Sequence, residues 1–181
     1  AEAYEKGIFA VDTETTSLNA LQADLVGVSL AIVPGKACYI PLAHRGRAAD
    51  GDLDLDGGEA VPPQIPLAEA LAALKPLLED PGVLKIGQNL KYDRLVLGRY
   101  GIEVDPFDDT MLLSYALDGG RHGHGMDELS QLHLGHTTIT FAEVAGSGRA
   151  KVTFDRVPLD KARDYAAEDA DVTLRLHGVL K

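Results

Sequence analysis

The chain opens with short apolar runs that polar turns separate. The first run covers residues 8–11, and its polar flanks predict a strand over residues 8–13. Alternating positions over residues 23–33 and 37–42 predict a second and a third strand. Pro34 and Gly35 lie between these two segments and favour a turn, so we expect the three strands to form a meander.

Farther along the chain, apolar residues recur three and four positions apart, which is the period of amphipathic helices. This pattern predicts helices over residues 67–80, 89–100, 109–117, 126–134 and 159–180, with a fourth strand at residues 83–88. We expect Asn89 and either Asp108 or Asp109 to cap the helices that they precede, and Pro76 to mark a kink or a junction. Because parallel strands need helical crossovers, the order of elements predicts an α/β fold with a mixed sheet flanked by helices.

Length and composition are those of one globular domain. The chain has 181 residues, of which 45% are hydrophobic and 25% charged, so we expect a single domain over residues 1–181. No segment approaches the ~18 consecutive apolar residues of a membrane span, and we expect no membrane partner. The N-terminus lacks a signal-peptide pattern and an initial Met, so we expect a piece excised from a longer protein. The single Cys38 predicts a buried thiol and fits a reducing cytoplasm.

The charge distribution limits the partners of the chain. The formal net charge is −11, which argues against a protein that grips a long stretch of nucleic acid through its phosphates. It leaves room for a small nucleic-acid site in which metal ions reverse the local field. Residues 50–59 hold a concentration of acidic residues among glycines, and we expect them to form a solvated loop.

Two carboxylates follow the first apolar run. Asp12 and Glu14 are two residues apart, so on a strand their side chains point to the same face. Like charges at that distance repel each other unless a cation lies between them, and a divalent metal held by oxygens is such a cation. Taken alone, however, the pair is more typical of a strand that ends in an acidic loop.

Two further aspartates interrupt apolar helical stripes. Asp93 lies on one face with Leu90 and Leu97, and Asp169 lies one turn after Tyr165. A buried carboxylate without a partner costs several kcal/mol, and a single one is more often paired with an arginine than bound to a metal. Two such aspartates together with the strand pair favour one or two metal ions, because the same stripes carry no Arg or Lys.

These residues resemble the three motifs of the DEDD exonuclease superfamily, and Tyr165 is typical of its tyrosine subclass. The segments 9–18, 85–93, 151–155 and 165–174 are similar to the 3′–5′ proofreading domain of bacterial family A DNA polymerases. The resemblance covers nearly the whole chain in order and spacing. The acidic stretch 50–59 departs from the family pattern, and no polymerase or 5′-nuclease region is present in this sequence.

The resemblance implies a ribonuclease H-like fold and a site for two divalent cations, Mg²⁺ or Mn²⁺. It implies that Asp12 bridges both ions, and that Glu14 and Asp169 favour the ion that carries the attacking water. Asp93 then supports the second ion, directly or through water. Tyr165 is a phenol of high pKa and suits a residue that orients this water better than it suits a base.

The resemblance also implies a substrate and partners. The substrate is the 3′ end of single-stranded or frayed DNA, and the expected contacts are Thr15, Leu18, Gln88, Asn89, Tyr92, Arg121 and Phe141. The implied partner is the polymerase domain of the same parent chain, in a monomeric bacterial protein associated with the nucleoid in the cytoplasm. Because of the acidic net charge, we expect the isolated chain to bind DNA weakly.

Three alternatives stay open at the level of sequence. The first is an RNA-trimming exonuclease similar to ribonuclease D, which shares the metal motifs. The second is a polymerase domain that keeps the fold without catalysis, although all four carboxylates and Tyr165 are present. The third concerns Asn89 alone, which fits an N-cap as well as a substrate contact. His122 and His124 lie in a Gly-rich loop, where loop polarity explains them better than a metal site that lacks further ligands.

Overall fold

In the described part of the chain, five strands form one mixed sheet. A computed structural model describes residues 1–45 and 63–181 of the chain. The strands are β1 (Ile8–Thr15), β2 (Leu25–Val33), β3 (Lys36–Pro41), β4 (Leu84–Gly87) and β5 (Phe107–Asp109). They lie in the order β3-β2-β1-β4-β5. The β1–β2 and β2–β3 pairs are antiparallel, whereas the β1–β4 and β4–β5 pairs are parallel. The predicted mixed sheet and its N-terminal meander are therefore confirmed.

Helices cover both faces of this sheet. They are α1 (Glu2–Lys6), α2 (Leu67–Leu78), α3 (Lys91–Gly98), α4 (Thr110–Asp118), α5 (Met126–Leu129), α6 (Phe141–Ala145) and α7 (Leu159–Leu180). A π-helical segment, Ser130–Leu134, continues α5, and two 3₁₀ turns precede α7. No helix in the described part of the chain is long and apolar enough to cross a membrane.

Alternate residues of β1 enter different cores, and this alternation places its carboxylates. Phe9 and Val11 are fully buried in the core that α2 and α3 cover. Ala10 faces the other way and packs with Ala170 of α7. Since side chains alternate along a strand, Asp12 continues the face that α7 covers. The sheet thus presents its carboxylates to the longest helix of the protein.

Sequence periodicity located the long elements and missed the short ones. The α7 helix has its predicted bounds, and the other predicted elements are present with shifted ends. The α1, β5 and α6 elements were not predicted, because three to five residues are too few to display a period. Helix α2 continues through Pro76 and ends two residues later, so Pro76 is not a junction.

Two local predictions were wrong. Asn89 does not cap α3: it adopts a left-handed conformation with φ 59°, and Leu90 occupies the N-cap position. Cys38 is exposed and not buried, because β3 is an edge strand and the Cys38 side chain is not covered there. The predictions for the acidic stretch 50–59 lie outside the described residues.

Candidate active site

Three carboxylates from two elements meet at the end of β1. One ligand oxygen each from Asp12, Glu14 and Asp169 lies within 4.8 Å of the others. Asp12 and Glu14 come from one face of β1, and Asp169 comes from the buried stripe of α7, with only 5% of its surface exposed. Two residues predicted from strand periodicity and one from helix periodicity therefore lie together.

Asp93 approaches the same strand from α3 and is held by Thr13. Its Oδ1 accepts hydrogen bonds from the Thr13 backbone nitrogen at 3.0 Å and from the Thr13 hydroxyl at 2.6 Å. The register between β1 and β4 ends at Ala10, so the edge of β1 beyond that residue is available to α3. Asp93 is thus fixed beside the three-carboxylate cluster, through a residue that the sequence did not single out.

The electrostatics of the site are those of crowded acids. Burial raises the pKa of Asp12 and of Glu14 well above their ordinary values, and the neighbouring carboxylates raise both further. Burial also raises the pKa of Asp93 to about 7, although the Thr13 hydrogen bonds oppose it. For Asp169, burial raises the pKa to about 8 against a lowering interaction with the Tyr165 hydroxyl.

The donor set fits a hard divalent cation. Among the described residues, no Lys, Arg or His forms an ion pair with these four carboxylates. The buried Oε1 of Glu14 has no hydrogen-bond partner among them either. A buried carboxylate oxygen without a partner is costly, and a cation at the centre of the cluster removes that cost. Oxygen ligands alone favour ions such as Mg²⁺ over metals that prefer thiolate.

Tyr165 stands beside this cluster within an aromatic group. Its ring packs against Phe154 at a centroid distance of 5.9 Å and against Phe141 at 6.3 Å. Burial and the nearby carboxylates raise the pKa of the Tyr165 phenol far above its ordinary value. The hydroxyl therefore stays protonated at neutral pH and can orient a water molecule but cannot serve as a base.

The residues predicted to contact substrate differ in how the fold holds them. Thr15 and Tyr92 are joined through their hydroxyls at 2.5 Å, and Tyr92 also donates to the Ser17 carbonyl. Leu18 projects into solvent with 97% of its surface exposed. Phe141 is partly exposed beside Tyr165, and the Lys151 ammonium lies 5.2 Å from the centroid of the Phe141 ring.

The other three predicted contacts lie in the segment between β4 and α3 and in the loop after α4. Both ends of the Gln88 amide are engaged, since its nitrogen donates to the His124 carbonyl at 2.8 Å and its oxygen accepts from Thr110. Asn89 lines an open groove of about 1140 Å³ together with Leu18. Arg121 is largely exposed and pairs with Asp118 at 2.7 Å, so in this structure it does not join the carboxylates.

Asp109 positions the segment that carries Asp93. Its two carboxylate oxygens accept from the backbone nitrogens of Asn89 and Leu90 at 3.0 and 2.9 Å. Oδ1 also accepts from Met111 and Leu112 at the start of α4. One buried carboxylate therefore caps α4 and holds the two residues that lead into α3. The sequence indicated the cap on α4, but it gave no sign of the second contact, which joins segments about twenty residues apart.

Comparison with known protein families supplies the identity that this geometry suggests. A family model described as 3′-5′ exonuclease matches residues 1–181. The chain belongs to the 3′-5′ exonuclease family. The resemblance inferred from the three motifs is thereby confirmed.

Curated relatives of this exonuclease domain are bacterial DNA polymerases. The chain is 57% identical to DNA polymerase I of Rhizobium leguminosarum over 190 residues, which covers 100% of the chain and 18% of the relative. It is 47% identical to DNA polymerase I of Pseudomonas aeruginosa, covering 97% of the chain and 18% of the relative. The exonuclease chain thus spans less than a fifth of the length of these relatives.

Solved structures of other nucleases share the fold of this exonuclease domain. Brucella melitensis NrnC with bound Mg²⁺ matches with a TM-score of 0.68 and 23% identity, covering 98% of the chain and 73% of that structure. Escherichia coli RNase D, an exoribonuclease, matches with a TM-score of 0.65 and 18% identity, covering 98% of the chain and 40% of that structure. The predicted ribonuclease H-like α/β fold is confirmed.

Proposed function

We propose that the chain hydrolyses 3′-terminal phosphodiester bonds of single-stranded or frayed DNA and releases nucleoside monophosphates, as the proofreading activity of a DNA polymerase in replication and repair. The observation that carries the proposal is the convergence of Asp12, Glu14 and Asp169 within 4.8 Å, with no cationic side chain paired to them among the described residues. The family assignment supports the 3′-to-5′ direction.

The four carboxylates suit two divalent cations, Mg²⁺ or Mn²⁺, in the proposed site. Asp12, Glu14 and Asp169 form one set of ligand oxygens, and Asp93 stands beside them, fixed by Thr13. In this proposal Asp12 would help to hold both ions. When bound, two such ions lower the pKa of an attacking water and stabilise the leaving 3′-oxygen.

Tyr165 orients the attacking water in this proposal. Because its phenol stays protonated, it can donate one hydrogen bond and accept another, which fixes the direction of the water. Its ring is held by Phe154 and Phe141. Tyr165 is therefore a catalytic residue that acts by orientation and not by proton abstraction.

The proposed substrate contacts are the seven residues that the family resemblance implied. Leu18 and Phe141 are exposed apolar side chains that can stack on the terminal bases, which works for any base because every base has a π-face. Thr15 and Tyr92 hold each other beside β1. Gln88, Asn89 and Arg121 complete the proposed set. Mismatched ends are preferred because unpaired termini cost less to separate.

The proposed partner is the polymerase region of the same parent chain. The curated relatives are DNA polymerase I chains of which this chain matches 18% of the length. We propose that residues 1–181 form a single exonuclease domain of such a protein, acting as a monomer in the bacterial cytoplasm at the nucleoid. Because the net charge of this chain is −11, we propose that other parts of the parent chain provide most of the affinity for DNA.

An RNA 3′ exonuclease is the second candidate function, favoured by the shared fold of Escherichia coli RNase D. A catalytically inactive structural domain is a weaker candidate. The four carboxylates and Tyr165 are present and grouped, and such a crowded acidic site is costly to retain without a use.

A direct digestion assay separates these candidates. DNA and RNA oligonucleotides of one sequence are incubated with the chain, Asp12→Asn and Asp24→Asn in Mg²⁺ and in chelator. We expect Mg²⁺-dependent shortening of DNA from its 3′ end by the chain and by Asp24→Asn, whose exposed side chain lies outside the cluster. Faster digestion of RNA would support the second candidate. Unchanged activity of Asp12→Asn would overturn the catalytic assignment.

A further inference from the structure

Three histidines lie together, apart from the carboxylate cluster. The His122 and His124 rings from the Gly-rich loop after α4 have centroids 5.1 Å apart. His133, from the π-helical segment after α5, places its ring 6.1 Å from that of His122. The sequence shows only the first two as neighbours, and the fold adds the third.

The hydrogen bonds of these rings leave nitrogen lone pairs without partners. His122 Nδ1 lies 2.6 Å from the Gly123 carbonyl, which can only accept, so Nδ1 carries the proton and Nε2 bears a lone pair. That Nε2 is buried and has no hydrogen-bond partner among the described residues, and the same holds for His133 Nε2. His124 Nδ1 is engaged by Ser114 at 2.8 Å.

This arrangement is characteristic of metal-ligating histidines. Such a histidine usually donates its other ring N–H to a carbonyl, a carboxylate or water, which fixes the tautomer and presents the remaining nitrogen to the metal. His122 does this through the Gly123 carbonyl. The Glu128 carboxylate accepts from the Gly123 nitrogen at 2.9 Å and places a negative charge next to the loop.

The distances between the rings suit a tetrahedral ion. At a metal–nitrogen distance of about 2.1 Å, two imidazole centroids lie about 5 Å apart in a tetrahedral site. The His122–His124 separation of 5.1 Å agrees, and the His122–His133 separation of 6.1 Å exceeds it by an amount that side-chain rotation can close. In the described part of the chain only the carboxylates already converge within 4.8 Å. For the three histidines to share one ion, the His133 ring, whose Nε2 makes no hydrogen bond there, must turn toward the other two.

We propose that His122, His133 and His124 form a second metal site that takes Zn²⁺, a borderline-soft ion suited to imidazole. The site joins the Gly-rich loop to the π-helical segment. It thereby fixes the loop whose His124 carbonyl accepts from Gln88, and which carries Arg121. Zn²⁺ at this position would order this loop without taking part in the hydrolysis.

Calorimetric titration of the chelator-treated chain with Zn²⁺ tests this site. The variants are His122→Asn and His133→Asn, with His136→Asn as the matched control, because His136 is exposed and paired with Glu168. In His122→Asn, the amide nitrogen can still donate to the Gly123 carbonyl, so the substitution removes the Nε2 ligand atom and keeps this hydrogen bond. We expect the chain and the control to bind one more equivalent of Zn²⁺ than the other two variants. Identical isotherms for all four proteins would overturn the proposal.

A second measurement uses the unmodified chain, so its result does not depend on whether the histidine variants fold. Imidazole ¹⁵N spectra are recorded while Zn²⁺ is added in the presence of excess Mg²⁺. We expect the Nε2 resonances of His122 and His133 to shift together at the first equivalents of Zn²⁺. If both resonances stay in place up to a tenfold excess, the three histidines form no zinc site.

Discussion

Thr13 donates two hydrogen bonds to a single oxygen of Asp93, one from its backbone nitrogen at 3.0 Å and one from its hydroxyl at 2.6 Å. The two residues are eighty positions apart in the chain. The contact holds one carboxylate beside three others while opposing the rise of its pKa that burial causes. Thr13 thus tunes the site without being one of its ligands.

Replacing Thr13 by Val tests this role. Val has the shape of Thr without the hydroxyl, so Asp93 loses one of its two hydrogen bonds and its pKa rises above about 7. Losing a residue that orients a ligand typically costs about 10–100-fold in metal affinity or activity. We expect an effect of that order in Mg²⁺ titrations of the exonuclease rate. Thr13→Ser keeps the hydroxyl, so its Mg²⁺ dependence and rate should stay near those of the wild type. Equal rates for Thr13→Val and Thr13→Ser would show that the hydroxyl bond to Asp93 does not affect the site.

The carboxylate cluster should make the metal-free chain less stable as pH rises. The folded-state pKa values of Asp93 and Asp169 are raised to about 7 and about 8, so the folded state holds protons that the unfolded state has released. Stability therefore falls as the pH rises from about 4, the ordinary pKa of an aspartate, to about 8, by roughly 1.4 kcal/mol per pH unit for each extra proton. We expect thermal unfolding in chelator to show this fall.

The control for that prediction is Asp169→Asn, which removes one titrating group from the cluster. Its unfolding temperature in chelator should change less with pH than that of the wild type. Added Mg²⁺ should raise the unfolding temperature of the wild type more than that of the variant. Parallel pH profiles for the two proteins would indicate that the crowded acids do not determine the stability of the metal-free state.

Tyr165→Phe should lower the rate while leaving metal binding intact. The Phe ring keeps the contacts with Phe154 and Phe141, and only the hydroxyl that orients the attacking water is lost. Misplacing a reacting group by about 1 Å costs on the order of 100-fold. We expect a fall of that order in the single-turnover rate, with an unchanged Mg²⁺ dependence. A large shift in Mg²⁺ affinity would instead make Tyr165 part of the metal site.

Asp109→Ala should destabilise the fold more than a substitution at the neighbouring Asp108. Asp109 caps α4 and also accepts from the Asn89 and Leu90 nitrogens ahead of α3. Each of these two sets of hydrogen bonds contributes about 1 kcal/mol, and more when the freed N–H groups are buried. We expect a loss of about 2–4 kcal/mol in denaturant unfolding. Asp108 pairs with Lys181 and His177 nearer the surface, so Asp108→Ala should cost about 1 kcal/mol or less. Equal losses would show that the Asp109 carboxylate does not hold these two segments together.

Residues with a periodic signal were predictable from the sequence. Asp169 follows Tyr165 by one helical turn within an apolar stripe, and Asp12 and Glu14 share a strand face, so their grouping followed from geometry once the fold class was known. The buried stripe through Asp93 was found in the same way, and Leu90, Asp93 and Leu97 are all buried.

Contacts between distant segments were not predictable in this way. Asp109 holds the segment ahead of α3 where an Asn89 cap was expected, because the left-handed Asn89 precedes the N-cap residue Leu90 and its backbone nitrogen donates to Asp109 in β5. No periodic pattern in the sequence indicates the Thr13–Asp93 hydrogen bond or the position of His133 beside His122. Such contacts depend on the three-dimensional path of the chain.

The proposed hydrolysis depends on two metal ions held by four carboxylates, and the decisive experiment is anomalous diffraction from a crystal of this chain soaked in Mn²⁺. We predict two peaks about 4 Å apart, with Asp12 oxygens about 2.0–2.2 Å from both, Glu14 and Asp169 on one ion, and Asp93 supporting the other. The absence of peaks between these carboxylates, at a Mn²⁺ concentration that supports digestion, would show that they do not hold the catalytic ions.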